Sequence, residues 1–239
     1  MTHYLYSRSR EGWEGFEHNV RQRIIQSGAR TVAELGAGAN PLLSLNFVRD
    51  VGFRYICIDV SGEELAKAPC EYTKIIQDIG ARDCTISGEV DLVFSKMLVE
   101  HVPFADVMHR NIFQMLRPGG FAIHFFPTLF APPFVLNYLA PESLSRWLVS
   151  KFQPQRDIGG RQSKFPAYYR WCRGPTQRQV SRFTRVGFEV VEYHGFFGHD
   201  GYYRRLGPIL WFHRKLCDWL VAHPVAHLTS YSFVVLQKP

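Results

Sequence analysis

The chain has 239 residues, enough for one domain with an elaboration and for a sizeable buried core. A hydrophobic share of 46% excludes a disordered chain; with no apolar run near the roughly 18 residues of a membrane span and a polar, basic start, MTHYLYSRSREGWEG, the expectation is a cytoplasmic protein, neither secreted nor membrane-spanning. The formal charge of +7 is local: Arg146 to Arg185 hold ten Lys or Arg against one acid, Asp157, and the remainder is slightly acidic.

In chain order, Tyr4 and Tyr6 come first, as docked aromatics or as a cover for a ligand. Trp13, Phe16, Val20, Ile24 and Ile25 recur at helical spacing and predict a helix from Glu11 that stops at Gly28. Thr31 to Pro41, TVAELGAGANP, reads as a buried strand breaking into a tight turn at Gly36 and Gly38. Asn40 is placed as N-cap and Pro41 as first residue of the next helix, whose stripe is Leu42, Leu45, Val48 and Val51. Without Cβ atoms the two glycines let a ligand lie against backbone, and the N–H groups of the turn and helix start are placed to hold a carboxylate or phosphate. A dinucleotide fingerprint would need a third glycine at Pro41.

RYICIDVS is the second strand, ending in Asp59, about 20 residues beyond the turn, where an acid accepts from ribose hydroxyls. Ser61 and Glu64 form a capping box that leaves the Asp59 side chain free. Thr73 to Gln77 is a third strand with Asp78 just beyond, and Val90 to Phe94 a fourth. Phe104 to Met115 is the next helix, Pro118 to Gly120 a turn, and FAIHFF strand five. Residues 127–174 lack strand alternation and are read as a helical cap inserted after strand five; within it APPF, Ala131 to Phe134, is a turn. Thr176 caps a helix leading to the strand GFEVVEYHGF, and SYSFVVLQKP is the last strand. Between them residues 199–228 are a helical insertion, with Leu206 to Val221 amphipathic. Cys57, Cys70, Cys84, Cys172 and Cys217, odd in number and without a CxxC pair, signal neither a disulfide framework nor zinc. No internal repeat is present, and alternating strands and helices require a mostly parallel sheet with helices on both faces.

The turn Glu34-Leu35-Gly36-Ala37-Gly38, the strand-end acids Asp59 and Asp78, and the EHV…LRPGG pattern together resemble the class I S-adenosylmethionine (AdoMet) methyltransferases, in the group containing many small-molecule O- and N-methylating enzymes. The chain departs from the strictest form of the turn at Asn40, where that form has a third glycine. The resemblance implies a single α/β domain, a Rossmann-like doubly wound sheet of seven strands ordered 3-2-1-4-5-7-6 with the last antiparallel. It further implies AdoMet as cofactor, held by Glu34 at the methionyl ammonium, Gly36, Ala37 and Gly38 at the carboxylate, Asp59 and Val60 at the ribose, Asp78 and Ile79 at adenine, and Ser95 beside the sulfonium. The stretch Glu100-His101-Val102-Pro103 is similar to the loop of metal-assisted O-methyltransferases, but the acid expected three residues earlier is Met97, and one carboxylate with one imidazole is too few for a hard cation. No metal is expected.

His101 is the candidate general base, since a neutral imidazole can take a hydroxyl proton at pH 7; the bland alternative is a histidine that holds the loop together. His124, His194 and His199 are weaker candidates. Tyr168, Tyr169 and Arg170, within the basic stretch that interleaves charges with Trp147, Phe152, Phe165 and Trp171, are the candidate acceptor contacts. They favour an anionic small molecule with an apolar or planar body. A nucleic-acid methyltransferase and a non-catalytic AdoMet-binding subunit remain as rival classes. The helix Leu206 to Val221, carrying Arg214 and Lys215 among aromatics, suits either packing on the sheet or rest on a membrane surface.

Overall fold

The computed structural model describes residues 2–84, 86, 88, 90–129 and 166–239. One eight-stranded sheet runs in the order β1-β7-β8-β6-β5-β2-β3-β4. Its strands are β1 (His3–Arg8), β2 (Thr31–Leu35), β3 (Arg54–Asp59), β4 (Thr73–Ile76), β5 (Val90–Lys96), β6 (Leu116–Pro127), β7 (Glu189–Phe197) and β8 (Tyr231–Gln237). Only β8 is antiparallel to its neighbours. From β2 onward the order is the expected one. The eighth strand is the addition: β1 pairs in parallel with β7 from His3–Glu192 to Arg8–Phe197. Tyr4 and Tyr6 therefore sit on an edge strand, and Tyr6 stacks on Phe197 at 5.9 Å between ring centroids.

The helices are α1 (Ser9–Ser27), α2 (Leu45–Val51), α3 (Gly62–Lys67), α4 (Ala105–Met115), α5 (Gln177–Val186) and α6 (Gly207–Ala222). Side-chain alternation along β6 separates the two faces. Phe125 meets Phe16 of α1, while its neighbour His124 meets His109 of α4 on the other side. On the α1 face the close approach is at Gly12, where a Cβ would fall 2.9 Å from the ring of Phe196. On the other face α4 packs beside α5, with His109 stacked on Trp171 and in contact with Phe183.

Three local expectations are corrected. Asn40 and Pro41 do not start a helix: α2 begins at Leu45, capped by Ser44, whose Oγ accepts from Phe47 N–H. Long-range bonds hold the preceding residues as a loop, since Leu42 N–H donates to Glu34 at 2.9 Å and the Tyr72 hydroxyl to Leu43 O at 2.8 Å. Pro118 to Gly120 form a bulge in β6, which pairs with β5 at Leu116, skips, and resumes at Phe121. The Asp59 side chain is not free, as described below.

Most of the predicted cap, including APPF, Trp147, Phe152 and Phe165, lies outside the described residues. Its two ends meet: Leu129 N–H donates to Cys172 O at 3.1 Å, and Thr128 N–H to Ser230 O at 2.9 Å. The insertion thus leaves and re-enters the sheet at one place, beyond the carboxyl end of β6. Thr176 caps α5 as expected, its hydroxyl accepting from Gln179 N–H.

Candidate functional site

Because β2 to β6 are parallel, their carboxyl ends form one rim, and the reversal of strand order on either side of β2 opens a crevice there. Glu34 is the penultimate residue of β2, Asp59 the last of β3, and Asp78 follows β4. Three acids thus stand along adjacent strand ends.

Each is more engaged than the sequence implied. Glu34 is buried; its Oε2 accepts from Leu42 N–H and from the Tyr55 hydroxyl. Burial pushes its carboxyl up to about 7, opposed by those hydrogen bonds and by Lys96. Asp59 accepts from Gly38 N–H through Oδ2 at 3.0 Å and from Ser61 N–H through Oδ1 at 2.9 Å, which fixes the carboxylate across the top of the turn. Asp78 Oδ1 accepts from Gly80 N–H at 2.8 Å.

The glycine turn is also corrected. Gly36 and Gly38 take positive φ of 72° and 51°, which an L side chain resists. Their N–H groups, however, serve the fold: Gly36 and Ala37 both donate to Ile58 O, and Gly38 to Asp59. The turn offers bare backbone for close approach rather than a nest of free donors. Leu98 lies over it, 3.0 Å from where a Gly36 Cβ would stand.

Val60 is exposed beside Asp59 on the rim, whereas Ala37 and Ile79 are buried. The Ile79 carbonyl accepts from Asn111 Nδ2 at 2.8 Å, so Ile79 anchors the Asp78 turn to α4. Ser95 is fully buried, with Oγ 2.8 Å from His124 Nδ1. His124 itself is buried and neutral, held well below the usual imidazole range by desolvation, and is no surface base. His194 stacks on Phe196 within β7, and buried His199 bonds to Ser230 and Tyr203.

His101 ends a short 3-10 turn, Val99–His101, beyond β5. Its Nδ1 lies 3.0 Å from Pro166 O. A carbonyl only accepts, so Nδ1 carries a proton; Nε2 stands 3.7 Å from Glu100 Oε1. The Glu100 carbonyl takes the N–H groups of Tyr168 and Tyr169 at 2.7 and 3.1 Å. The structure therefore joins the base candidate to the predicted acceptor segment, two stretches nearly 70 residues apart. Tyr168 and Arg170 are exposed there, but Tyr169 is buried in the core and is a packing residue. Tyr169 and Trp171 share positive φ, 48° and 59°, and so does Met97, 57°, at the end of β5. Three such non-glycine residues around one loop mark backbone held by its surroundings.

Two rim residues escaped the sequence reading. Lys96 ends β5 with its ammonium 5.2 Å from the Trp13 ring centroid and within electrostatic reach of Glu34. Trp13, partly exposed, rests edge-on against Phe125 and Tyr231. The helical stripe that placed Trp13 on a packing face was correct, but nothing local showed that this end of α1 reaches the rim. Two shallow clefts, of about 250 and 270 Å³, lie elsewhere and include none of the three acids.

A mostly parallel sheet of this order, with a glycine turn after its first central strand and acids at three consecutive strand ends, is a methyltransferase-like Rossmann fold. Residues 33–124 match the family model described as a methyltransferase domain. An uncharacterized methyltransferase of Mycobacteroides abscessus is 29% identical over 60% of this chain; the match spans 61% of that relative's length. An AdoMet-dependent methyltransferase from Mesorhizobium loti superposes with a TM-score of 0.53 at 17% identity, covering 92% of this chain and 97% of that one. Phosphoethanolamine N-methyltransferase 2 of Haemonchus contortus, in complex with AdoMet, gives 0.53 at 18%, over 92% of this chain and 52% of that one. The [4+2]-cyclase SpnF gives 0.58 at 16%, over 95% and 80%. These structural likenesses establish the fold.

The rim fits the cofactor. Asp59 stands fixed at the turn with acceptor capacity remaining on both oxygens, Gly36 and Gly38 leave no Cβ in the way, and a desolvated Glu34 is a carboxyl that a cation would stabilise. Among the described residues no cluster of His, Cys, Asp and Glu is placed to hold a metal ion.

Proposed function

We propose that this chain transfers the methyl group of AdoMet to an oxygen or nitrogen of a small-molecule acceptor, with His101 receiving the acceptor's proton. The observation that carries the reading is the junction of His101 with the Pro166–Arg170 segment at the rim of strand-end acids. Bound AdoMet supplies an activated methyl, so that the acceptor's lone pair forms the new bond while the carbon–sulfur bond breaks. The chain's own task is alignment and exclusion of water. Glu34 meets the methionyl ammonium, Asp59 the ribose hydroxyls and Asp78 the adenine amino group, with Val60 flanking the ribose. His101 Nε2, its tautomer set by Pro166, takes the proton the acceptor loses.

The basic, ring-rich stretch from Arg146 to Arg185 supports an anionic or amphipathic acceptor, of glycan, lipid-linked or natural-product type, in a cytoplasmic setting. No helix among the described residues is long and apolar enough to cross a membrane. The test is a methyl-transfer assay against small-molecule and RNA pools. Labelled small anionic products support the reading. Labelled RNA alone would establish the nucleic-acid class instead, and AdoMet binding with no product would establish a non-catalytic subunit.

A further inference from the structure

α6 sits at the β1 edge of the sheet and packs through a narrow face. His213, Cys217 and Leu220 are its buried residues, the last two against Phe197 and Tyr6. Its outer face is apolar: Trp211 and Phe212 are each 64% exposed, Trp219 53%, Ile209 50% and Leu216 40%. At about 100° per residue, Ile209, Leu216, Phe212 and Trp219 fall within about 80° of one another, and Lys215 projects between Trp219 and Trp211. Leu206 before the helix, and Val225 and Leu228 after it, are exposed as well. Single exposed apolar residues need no explanation, but a continuous patch of this kind marks an interaction surface.

The surrounding charge decides the partner. Between residues 200 and 228 there are four arginines and lysines, Arg204, Arg205, Arg214 and Lys215, against two acids. Both acids are engaged within the protein: Asp200 accepts from Arg214 Nε at 2.8 Å and lies 3.7 Å from Arg8, and Asp218 lies 3.6 Å from Arg8. Lys215, set by helical spacing between Trp219 and Trp211, and Arg204, just before the helix, are both exposed. A second copy of this chain would bring like charges together. Anionic headgroups would meet opposite charge, and large rings with flanking cations suit the headgroup–acyl boundary. Position agrees. The segment leaves the carboxyl end of β7 and returns at the start of β8, which pairs beside it, so α6 belongs to the same end of the sheet as Glu34, Asp59 and Asp78.

We propose that α6 is an interfacial helix that docks the protein on an anionic membrane surface, Phe212, Leu216 and Trp219 entering the headgroup boundary and Lys215 and Arg204 meeting lipid phosphates. The inference does not rest on methyl transfer, since a catalytically silent chain would dock alike. The test is co-sedimentation of the full chain with vesicles of phosphatidylcholine alone and of phosphatidylcholine mixed with phosphatidylglycerol. Partition into the mixed vesicles is expected at low salt, at least about tenfold weaker into phosphatidylcholine, and weakened by salt as exposed charge is screened. A Phe212→Ser, Trp219→Ser, Lys215→Glu variant should lose at least about tenfold in partition while its thermal unfolding is unchanged, because all three side chains are exposed. Absence of sedimentation with both vesicles, or equal partition of the parent and the variant, would overturn the proposal. So would a lipid-free dimer, seen by light scattering, that the variant dissociates, since that would make the occupant a second copy.

Discussion

At the scale of single residues, Glu34 reports most directly on what the rim receives. A buried carboxyl with a pKa of about 7 is only partly ionised at neutral pH, and a cation placed against it completes the ionisation. AdoMet binding near pH 7 is therefore expected to release a fraction of a proton. Calorimetry in buffers of differing ionisation enthalpy should show a binding heat that varies with the buffer. In Glu34→Gln the variation should vanish and affinity fall; equal heats in all buffers for the parent chain would place the ammonium elsewhere. Asp59 gives a second expectation. Asp59→Ala removes the acceptor assigned to the ribose together with the bond that pins Gly38, at a cost of about 2 kcal/mol in AdoMet affinity, roughly 30-fold. Unchanged affinity in a folded variant would sink the ribose assignment. The positions of these acids were legible because a strand, a turn and an acid recur together in the sequence. What they hold was not: the Tyr55 hydroxyl on Glu34, the N–H of Gly38 on Asp59 and the turn to His124 made by Ser95 are contacts between strands.

At the scale of elements, the start of α2 shows where local reading fails. Asn-Pro is a strong helix-start signal, yet two bonds from distant residues, Leu42 N–H to Glu34 and Tyr72 to Leu43 O, hold that stretch as loop and move the cap to Ser44. Ser44→Ala is accordingly expected to cost about 1 kcal/mol in urea unfolding, as loss of a cap does. Asn40→Ala should leave stability nearly unchanged, because Asn40 lies in an exposed bend. Equal costs at the two positions would restore the cap to Asn40. β1 was hidden for a different reason. Six residues with two tyrosines carry little periodic signal, and what makes HYLYSR a strand is an open edge of β7 and the ring of Phe197 for Tyr6 to cover. The central strands and α1, α4 and α5 could be read from the sequence because their buried runs and stripes are long enough to speak without partners. α6 was legible as a helix, but its narrow inner face, His213 and Cys217 included, depends on β1 being there.

At the scale of the whole molecule, the distribution of buried titratable groups sets how stability depends on pH. His109, His124, His194, His199 and His213, drawn from both halves of the chain, are all held below the usual imidazole range, burial being the first cause in each. His109 and His194 titrate at about 4 and His199 at about 3. Unfolded histidines take up a proton near 6.5, so between that pH and about 3 to 4 the unfolded chain binds more protons than the folded one. Stability must therefore rise with pH across this window, be complete above about 6.5 and be lost as pH falls toward the folded values. Each pKa unit corresponds to about 1.4 kcal/mol, so His109 and His199, both buried, place several kcal/mol at stake against a typical total of about 5–15. Glu34 acts with the opposite sign. Its raised pKa means the folded chain holds a proton that the unfolded one releases above about 4.5, so its contribution fades as pH rises through about 7. Glu192, also raised by burial, adds to Glu34, but five histidines outnumber the two acids, and the melting temperature should climb steeply from pH 4 to 6.5 and then level or dip slightly toward pH 8, with Glu34→Gln reducing the dip. His199 and His213 lie 4.3 Å apart by ring centroids, so their protons are taken up as a pair, and single substitutions there should shift the acid limb by unequal amounts. A melting temperature that stays flat between pH 4 and 6.5 would mean that these histidines accept protons without unfolding the chain.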